Sequence, residues 1–369
     1  MTMRLWWCIC LLGLWTSLAH ASPALPSDVI DDLNRLQTQL REQQYASVVS
    51  QATQQAERLR AGNDADRWAS ALYQQLAANA LARQDEPSAA ADRLAQAREL
   101  SGEEQAQAAR WLREEASLRR AAGQADRATE LLSSALQSQA GQDASSQRQE
   151  RWKLTRWLAN DQRWQEAAEW LERSLSQTSE PDEAQRRLAL AIYQRTQQTD
   201  QALDFLLRGL NEQSDIDSWR QAAALAQQSG QPGVAAALWD TAWQLDKLDE
   251  DDDRWQLIRL HMAGGTPARA AEYLEHWLAE GEVVRDEATL RLLANAWHQA
   301  RDKTQALDAW QALATLSEDG GDWRQYGQLA FAWGQDERAE KALSRAHTLG
   351  DEQAAEWLAT LEQSPHHSP

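Results

Sequence analysis

The most constraining feature of this chain is a block of small and large residues that recurs at fixed offsets. The stretch DSWRQAAALAQQSGQPGVAAALWDTAWQLD begins at Asp217, and DWRQYGQLAFAWGQDERAEKALSRAHTLG begins at Asp322. In both, a Trp is followed at the same spacing by small residues, a glycine, an alanine and a second large apolar residue. Such self-similarity predicts stacked copies of one supersecondary unit, none of which can bury its faces alone.

The same pattern extends upstream over most of the chain. An alanine recurs every 33 to 39 residues, and a large apolar residue lies four positions after it. The alanines are Ala90, Ala128, Ala167, Ala202, Ala235, Ala270, Ala306 and Ala339, and the large residues are Leu94, Leu132, Leu171, Leu206, Trp239, Leu274, Trp310 and Leu343. The pattern resembles the tetratricopeptide (TPR) repeat, a pair of antiparallel helices in which small residues let the two helix axes approach.

The composition agrees with this interpretation, because the chain is rich in the helix formers Ala, Leu, Gln, Glu and Arg and poor in β-branched residues. We therefore expect an all-α protein: a TPR-type α-solenoid superhelix of about nine helix pairs plus a C-terminal capping helix. The repeats span residues 62–363 and follow a divergent helix pair at 22–61, with the capping helix from Glu352 to about Glu362. A tail at 364–369 is expected to be disordered.

Turn chemistry predicts where the helices break. Glycine and proline punctuate the sequence at Gly264–Pro267 and at Gly320–Gly321, and both sites are expected to be turns. The polar stretch at 138–147 is longer than a turn needs, so it could be a joint between two segments. The acidic run DEDDD at 249–253 is expected to be a solvated loop that caps the next helix, because an EF-hand would need Gly where Arg254 stands.

The first 21 residues predict an export signal. Arg4 supplies the positive start, an apolar stretch runs from Leu5 to Leu18, and AHA precedes a cleavage point after Ala21. The apolar stretch is short for a bilayer span, so cleavage and a periplasmic location are favoured over a retained anchor. Both cysteines leave with the signal, and the mature protein is expected to fold without disulfides.

The sequence carries few signs of catalytic chemistry. The chain shows no HExxH pair, nucleophile elbow or Gly-rich phosphate loop, and His261 falls at a packing position of its repeat. We therefore expect no enzyme activity, no cofactor, no metal site and no small-molecule substrate. A net charge of −19 disfavours nucleic acid as a partner, because phosphate binding needs a basic surface.

Function is then expected on the surface formed by the first helix of each pair, which lines a concave groove in TPR proteins. The fifth and ninth positions of these helices are rich in Arg and Trp. We predict a partner-binding groove of Arg113, Trp152, Arg156, Arg187, Arg220, Trp255, Arg259, Arg291 and Arg324. Arginine binds carboxylates in a bidentate manner and stacks on flat groups, and Trp supplies apolar anchors. The competing interpretation is that each Arg pairs with an acidic residue on the neighbouring repeat.

The C-terminal part resembles a particular TPR family. The segments GTPARAAEYLE, LLANAWHQARD and LSEDGG, in this order, are similar to periplasmic TPR proteins of TonB-type energy-transduction systems in Gram-negative bacteria. The resemblance covers the region from Asp217 to Gln363, and the chain lacks the additional repeat that members often carry before the final helix.

This resemblance implies a non-enzymatic accessory of a TonB-dependent transport complex. The accessory itself is expected to contact the membrane only indirectly, through its partner. Its partner is expected to be a protein, for example a proline-rich segment of a TonB-complex component. The alternative is a general scaffold in envelope assembly, such as secretion, pilus formation or polysaccharide export, which would share every repeat feature.

Overall fold

The computed structural model describes residues 23–138, 143–178, 180–248 and 250–362. The predicted signal at 1–21, the core of the predicted joint at 139–142 and the predicted tail lie outside the described residues. Within the described ranges the chain forms 19 α-helices and no strand. The helices are α1 Ser27–Arg41, α2 Tyr45–Leu59, α3 Asp64–Arg83, α4 Pro87–Glu99, α5 Gln105–Ala121, α6 Ala125–Ser138, α7 Ala144–Asn160, α8 Trp164–Leu175, α9 Glu183–Arg195, α10 Thr199–Gly209, α11 Ile216–Gln228, α12 Pro232–Gln244, α13 Asp251–Ala263, α14 Pro267–Glu280, α15 Glu287–Ala300, α16 Lys303–Ser317, α17 Gly320–Ala332, α18 Asp336–Thr348 and α19 Gln353–Glu362.

The described helices follow one another in the order that the repeat pattern predicts, and the chain ends in the single helix α19. Each repeat alanine is at most 3% exposed, so all eight lie where helices pack closely. Seven of the eight large residues are buried as well, and Leu206 is half-buried. The all-α, solenoid-type prediction is therefore confirmed.

Every turn within a TPR-like pair has the same backbone conformation. Five residues before each repeat alanine, the chain adopts a positive φ, which reverses its direction at the end of the first helix. Glycine fills this position in four repeats; Asp85, Gln162, Gln197 and Arg301 fill it in the others. The reversal is thus a property of the fold, and glycine only makes it less costly.

The prediction of a turn at Gly320–Gly321 is wrong. These two residues begin α17, and the preceding turn consists of Glu318, which has a φ of 52°, and the N-cap Asp319. A Cβ on Gly320 would lie 3.0 Å from the Cβ of Asp351 and 3.2 Å from the carbonyl oxygen of Ala346. The glycine therefore permits a close approach between α17 and the turn before α19.

The chain divides between Thr196 and Gln197 into two compact units. Unit 1 holds α1 to α9, with separate clusters of buried residues around Leu36 and Leu94. Unit 2 holds α10 to α19; a large apolar core extends from Leu203 to Leu361, and a small separate cluster contains Leu343, Ala346 and Ala354. The predicted capping helix is α19, whose Ala354 and Leu361 are buried. Among the described helices, none combines the length and apolar character that a bilayer span requires.

Candidate functional site

The predicted groove residues fall in both units, four in unit 1 and five in unit 2. In unit 1, Trp152 is only 6% exposed, and its indole Nε1 donates a hydrogen bond to Thr178 Oγ1 at 3.1 Å. Trp152 is therefore a packing residue, because a partner cannot reach a side chain this deeply buried. Trp152 is buried because the side of α7 that carries it faces α8 and the loop after α8. The spacing of the repeat does not show this orientation.

The unit 1 arginines differ in their surroundings. Arg113 is half-buried, and burial lowers the pKa of its guanidinium, while the nearby Glu150 carboxylate opposes that shift. Arg156 is exposed. Arg187 is also exposed and lies 3.5 Å from Glu183 on its own helix. Within the described part of unit 1, no single acidic residue forms an ion pair with more than one of these three arginines.

In unit 2, three groove arginines pair with aspartates on the next first helix or just before α19. The aspartate lies at or just before the N-terminus of that helix and is at most 12% exposed at its side chain. The pairs are Arg220–Asp253 at 2.9 Å, Arg291–Asp322 at 2.5 Å and Arg324–Asp351 at 2.8 Å. These contacts match the competing interpretation of internal ion pairs, so these guanidiniums are already largely neutralised.

The partner of Arg220 corrects the prediction of a solvated acidic loop. Asp253 is 5% exposed and lies in the first turn of α13, where Arg220 Nη2 donates to both of its carboxylate oxygens. A buried carboxylate is costly unless it is paired, so Asp253 needs this arginine. The sequence does carry a signal for such pairs: Asp253 follows Arg220 by 33 residues, and Asp322 follows Arg291 by 31.

The two remaining groove residues of unit 2 lie apart from these pairs. Trp255 is half-buried and packs against the unit 2 core. Arg259 is exposed and donates to the side chain of Gln256 on the same helix. Their role in partner binding remains a prediction.

A cleft of about 630 Å³ lies near the N-termini of α15 and α17. We call it the N-end cleft, and its lining includes Glu287, Arg291, Asn295, Trp310, Asp322 and Arg324. The carboxylate of Asp322 raises the pKa of the Arg291 guanidinium, so this side chain stays charged. Because both arginines are paired with aspartates, the N-end cleft offers polar groups and an indole rather than free positive charge.

A second cleft of about 590 Å³ lies near the C-termini of the same two helices. We call it the C-end cleft; it is lined by His298, Gln299, Arg301, Lys303 and Trp333. The imidazole of His298 contacts the indole of Trp333 edge-on, with ring centroids 5.6 Å apart. None of the five lining residues is acidic. The repeat pattern does not indicate this cleft, because Arg301 caps the end of α15 and Lys303 begins α16, both outside the groove positions.

His261, which was predicted to be a packed imidazole, is 3% exposed. Its Nδ1 lies 2.9 Å from Thr266 Oγ1, and the ring stacks on Tyr273. Burial lowers the pKa of His261, since the charged form loses hydration. The packing prediction is confirmed.

No protein-family model matches the chain. No curated protein matches it either. Among solved structures, it is similar to a TPR protein from Parabacteroides merdae (17% identity, 70% of this chain and 100% of that chain, TM-score 0.31). It is also similar to the C-terminal part of a TPR repeat-containing protein from Cytophaga hutchinsonii (13% identity, 77% of this chain and 95% of that chain, TM-score 0.37). These likenesses are weak, and the TPR-type architecture follows from the helix pairs and buried alanines described above.

Proposed function

We propose that this protein is a non-enzymatic scaffold that binds an extended segment of a partner protein along the first helices of unit 2. The observation that carries the proposal is the pair of clefts between α15 and α17, which together leave one face of α15 open to a ligand. Arg291, Asn295 and His298 are spaced four and three residues apart, so they lie on one side of that helix. A surface of this kind suits an extended chain better than a reaction centre.

The finer proposal is a periplasmic accessory of a TonB-dependent transport complex. It is supported by the resemblance of GTPARAAEYLE, LLANAWHQARD and LSEDGG and by the export signal predicted in residues 1–21. The general envelope-assembly scaffold is the alternative. A TonB-type gene cluster next to this gene favours the first, and a secretion or pilus cluster favours the second.

Capture from the cell envelope tests the proposal. The mature protein, beginning at Ser22, is expected to retain a TonB-complex component from the envelope fraction of a source cell. The variant Asn295→Arg fills the N-end cleft without removing any of the ion pairs, so it is expected to lower the amount captured. Gln201→Arg, which adds the same charge at an exposed position of α10, outside the first helices, is the matched control.

Each result has a defined meaning. Equal capture by Asn295→Arg and Gln201→Arg would place the binding surface elsewhere on the molecule. Capture of a different envelope assembly would favour the alternative scaffold, and the absence of any partner would contradict the scaffold proposal itself. Location has its own measurement: the protein isolated from the periplasmic fraction should have Ser22 as its N-terminus.

A further inference from the structure

We infer that the C-end cleft binds a carboxylate-bearing end of the partner segment and so fixes the direction in which that segment lies on α15. This inference rests on the proposed function and adds the chemistry of the ligand. It depends on a contrast between the cations at the two ends of the helix.

The two arginines of the N-end cleft already form ion pairs with aspartates. Arg291 donates to both carboxylate oxygens of Asp322 at 2.5 and 2.7 Å, and Arg324 Nε donates to Asp351 at 2.8 Å. A ligand carboxylate there would have to displace a nearly buried aspartate, which would leave that aspartate unpaired at considerable cost. The N-end cleft therefore disfavours an anionic ligand.

The two cations of the C-end cleft are free to pair with a ligand. Arg301 and Lys303 are exposed, and within the described ranges neither side chain forms a hydrogen bond or an ion pair. Asp302 lies between them in sequence, but its carboxylate caps α16 by accepting from the backbone N–H of Gln305 at 3.1 Å. Two unpaired cations with no acidic residue in the lining form a local positive site on a chain of net charge −19.

The remaining lining residues suit a peptide better than a bare ion. The indole of Trp333 is half-buried and offers an apolar wall, and His298 packs against its edge. Trp combines a large apolar contact area with a low entropic cost of immobilisation, which makes it a frequent anchor for bound segments. A glutamate or aspartate next to an apolar residue would satisfy both the guanidinium and the indole.

The geometry of α15 gives the length of the segment. Arg291 and Arg301 are ten residues apart, which corresponds to roughly 15 Å along a helix. An extended chain rises about 3.3 Å per residue, so roughly five residues cover this distance. The segment is therefore expected to be uncharged near Arg291 and acidic near Arg301.

The test uses a fluorescein-labelled, C-terminally amidated hexapeptide that is uncharged except for two glutamates beside a leucine at one end, and a matched peptide in which glutamine replaces glutamate. Binding to the mature protein is measured by fluorescence anisotropy in about 0.15 M salt, where long-range repulsion by the acidic protein is largely screened. The double variant Arg301→Gln/Lys303→Gln is compared with Arg285→Gln/Arg345→Gln. All four residues are exposed, and both double variants change the net charge equally.

The glutamate peptide is expected to bind the wild-type protein and the control double variant with similar Kd. Its Kd is expected to rise at least about tenfold in Arg301→Gln/Lys303→Gln, because two charge-assisted contacts are lost. Thermal unfolding of all variants by circular dichroism checks that the fold is intact.

Three results would overturn the inference: no binding of the glutamate peptide to the wild type, equal binding of the glutamine peptide, or equal losses in both double variants. The outcome is separable from the proposed function. If Arg301→Gln/Lys303→Gln still captures the envelope partner as well as its control does, the inference fails and the scaffold proposal stands. If the wild type captures no partner, the scaffold proposal fails.

Discussion

At the scale of single residues, Gly327 shows how one missing atom sets the distance between paired helices. It lies on α17, and a Cβ at this position would come within 2.6 Å of Leu343 Cγ and 3.2 Å of the Leu343 backbone nitrogen on α18. The sequence predicted a small residue here from the repeat spacing alone. The structure adds the contact that requires it.

We expect Gly327→Val to lower the free energy of unfolding by about 2 kcal/mol, because a β-branched side chain overpacks this crossing and cannot rotate away. For a unit of this size, the loss corresponds to roughly 6 °C in Tm. Thermal unfolding followed by circular dichroism measures it. Gly209→Val is the control, since a Cβ there meets nothing within 4 Å. Equal melting temperatures for the two variants would contradict the close packing at Gly327.

The ion pair between Arg220 and Asp253 is a second contact that can be tested residue by residue. Arg220→Gln leaves the Asp253 carboxylate, 7% exposed, without its partner. Because the arginine is itself partly exposed, we expect a loss of roughly 1–2 kcal/mol, less than for a fully buried pair. Adding Asp253→Asn should recover part of this loss in a double-mutant cycle of urea unfolding.

The matched control for Arg220 is Arg187→Gln. Arg187 occupies the equivalent repeat position, but its partner Glu183 is 63% exposed at the side chain, so a change below about 0.5 kcal/mol is expected. If Arg220→Gln were as mild as Arg187→Gln, the Arg220–Asp253 pair would contribute little to the fold, and Arg220 would again be open to a partner.

At the scale of helices, the starts of several first helices depend on aspartate caps. Asp215 accepts from the backbone N–H of Ser218, and Asp286 from that of Thr289, at 2.7 and 2.8 Å. These hydrogen bonds lower the pKa of both carboxyl groups, because they stabilise the charged form. A group with a lowered folded-state pKa contributes stability above its unfolded pKa, and this contribution is lost as pH falls through the folded value.

We therefore expect the Tm of the wild-type protein to fall as pH drops below the ordinary aspartate pKa of about 3.9. The double variant Asp215→Asn/Asp286→Asn should show a shallower fall over the same range, since asparagine caps a helix without titrating. Melting curves between neutral pH and pH of about 2.5 measure the difference. Parallel curves for the two proteins would show that these caps do not contribute to the acid sensitivity.

At the scale of the whole molecule, net charge is the dominant feature. A value of −19 implies repulsion among the many exposed carboxylates, which opposes the compact state. Salt screens exposed charges strongly and buried carboxylates such as that of Asp322 much less. We expect the Tm to rise when NaCl is increased from about 0.01 M to about 0.15 M. Differential scanning calorimetry measures this change in Tm. A fall in Tm would mean that the exposed salt bridges stabilise the fold by more than the repulsion destabilises it.

The sequence by itself determined the helix pairs, their alanine crossings and the turns within them, because these depend on the size and spacing of residues inside one repeat. Spacing alone identified Ala90 and Ala339 as equivalent, and both are fully buried. Only the tertiary structure decided which of the surface side chains are buried, paired or unpaired. It buried Trp152, paired Arg291 with Asp322 and left Arg301 and Lys303 unpaired around Trp333. These outcomes depend on which side chains of adjacent repeats meet across a helix interface, and a residue's position within its own repeat does not specify that.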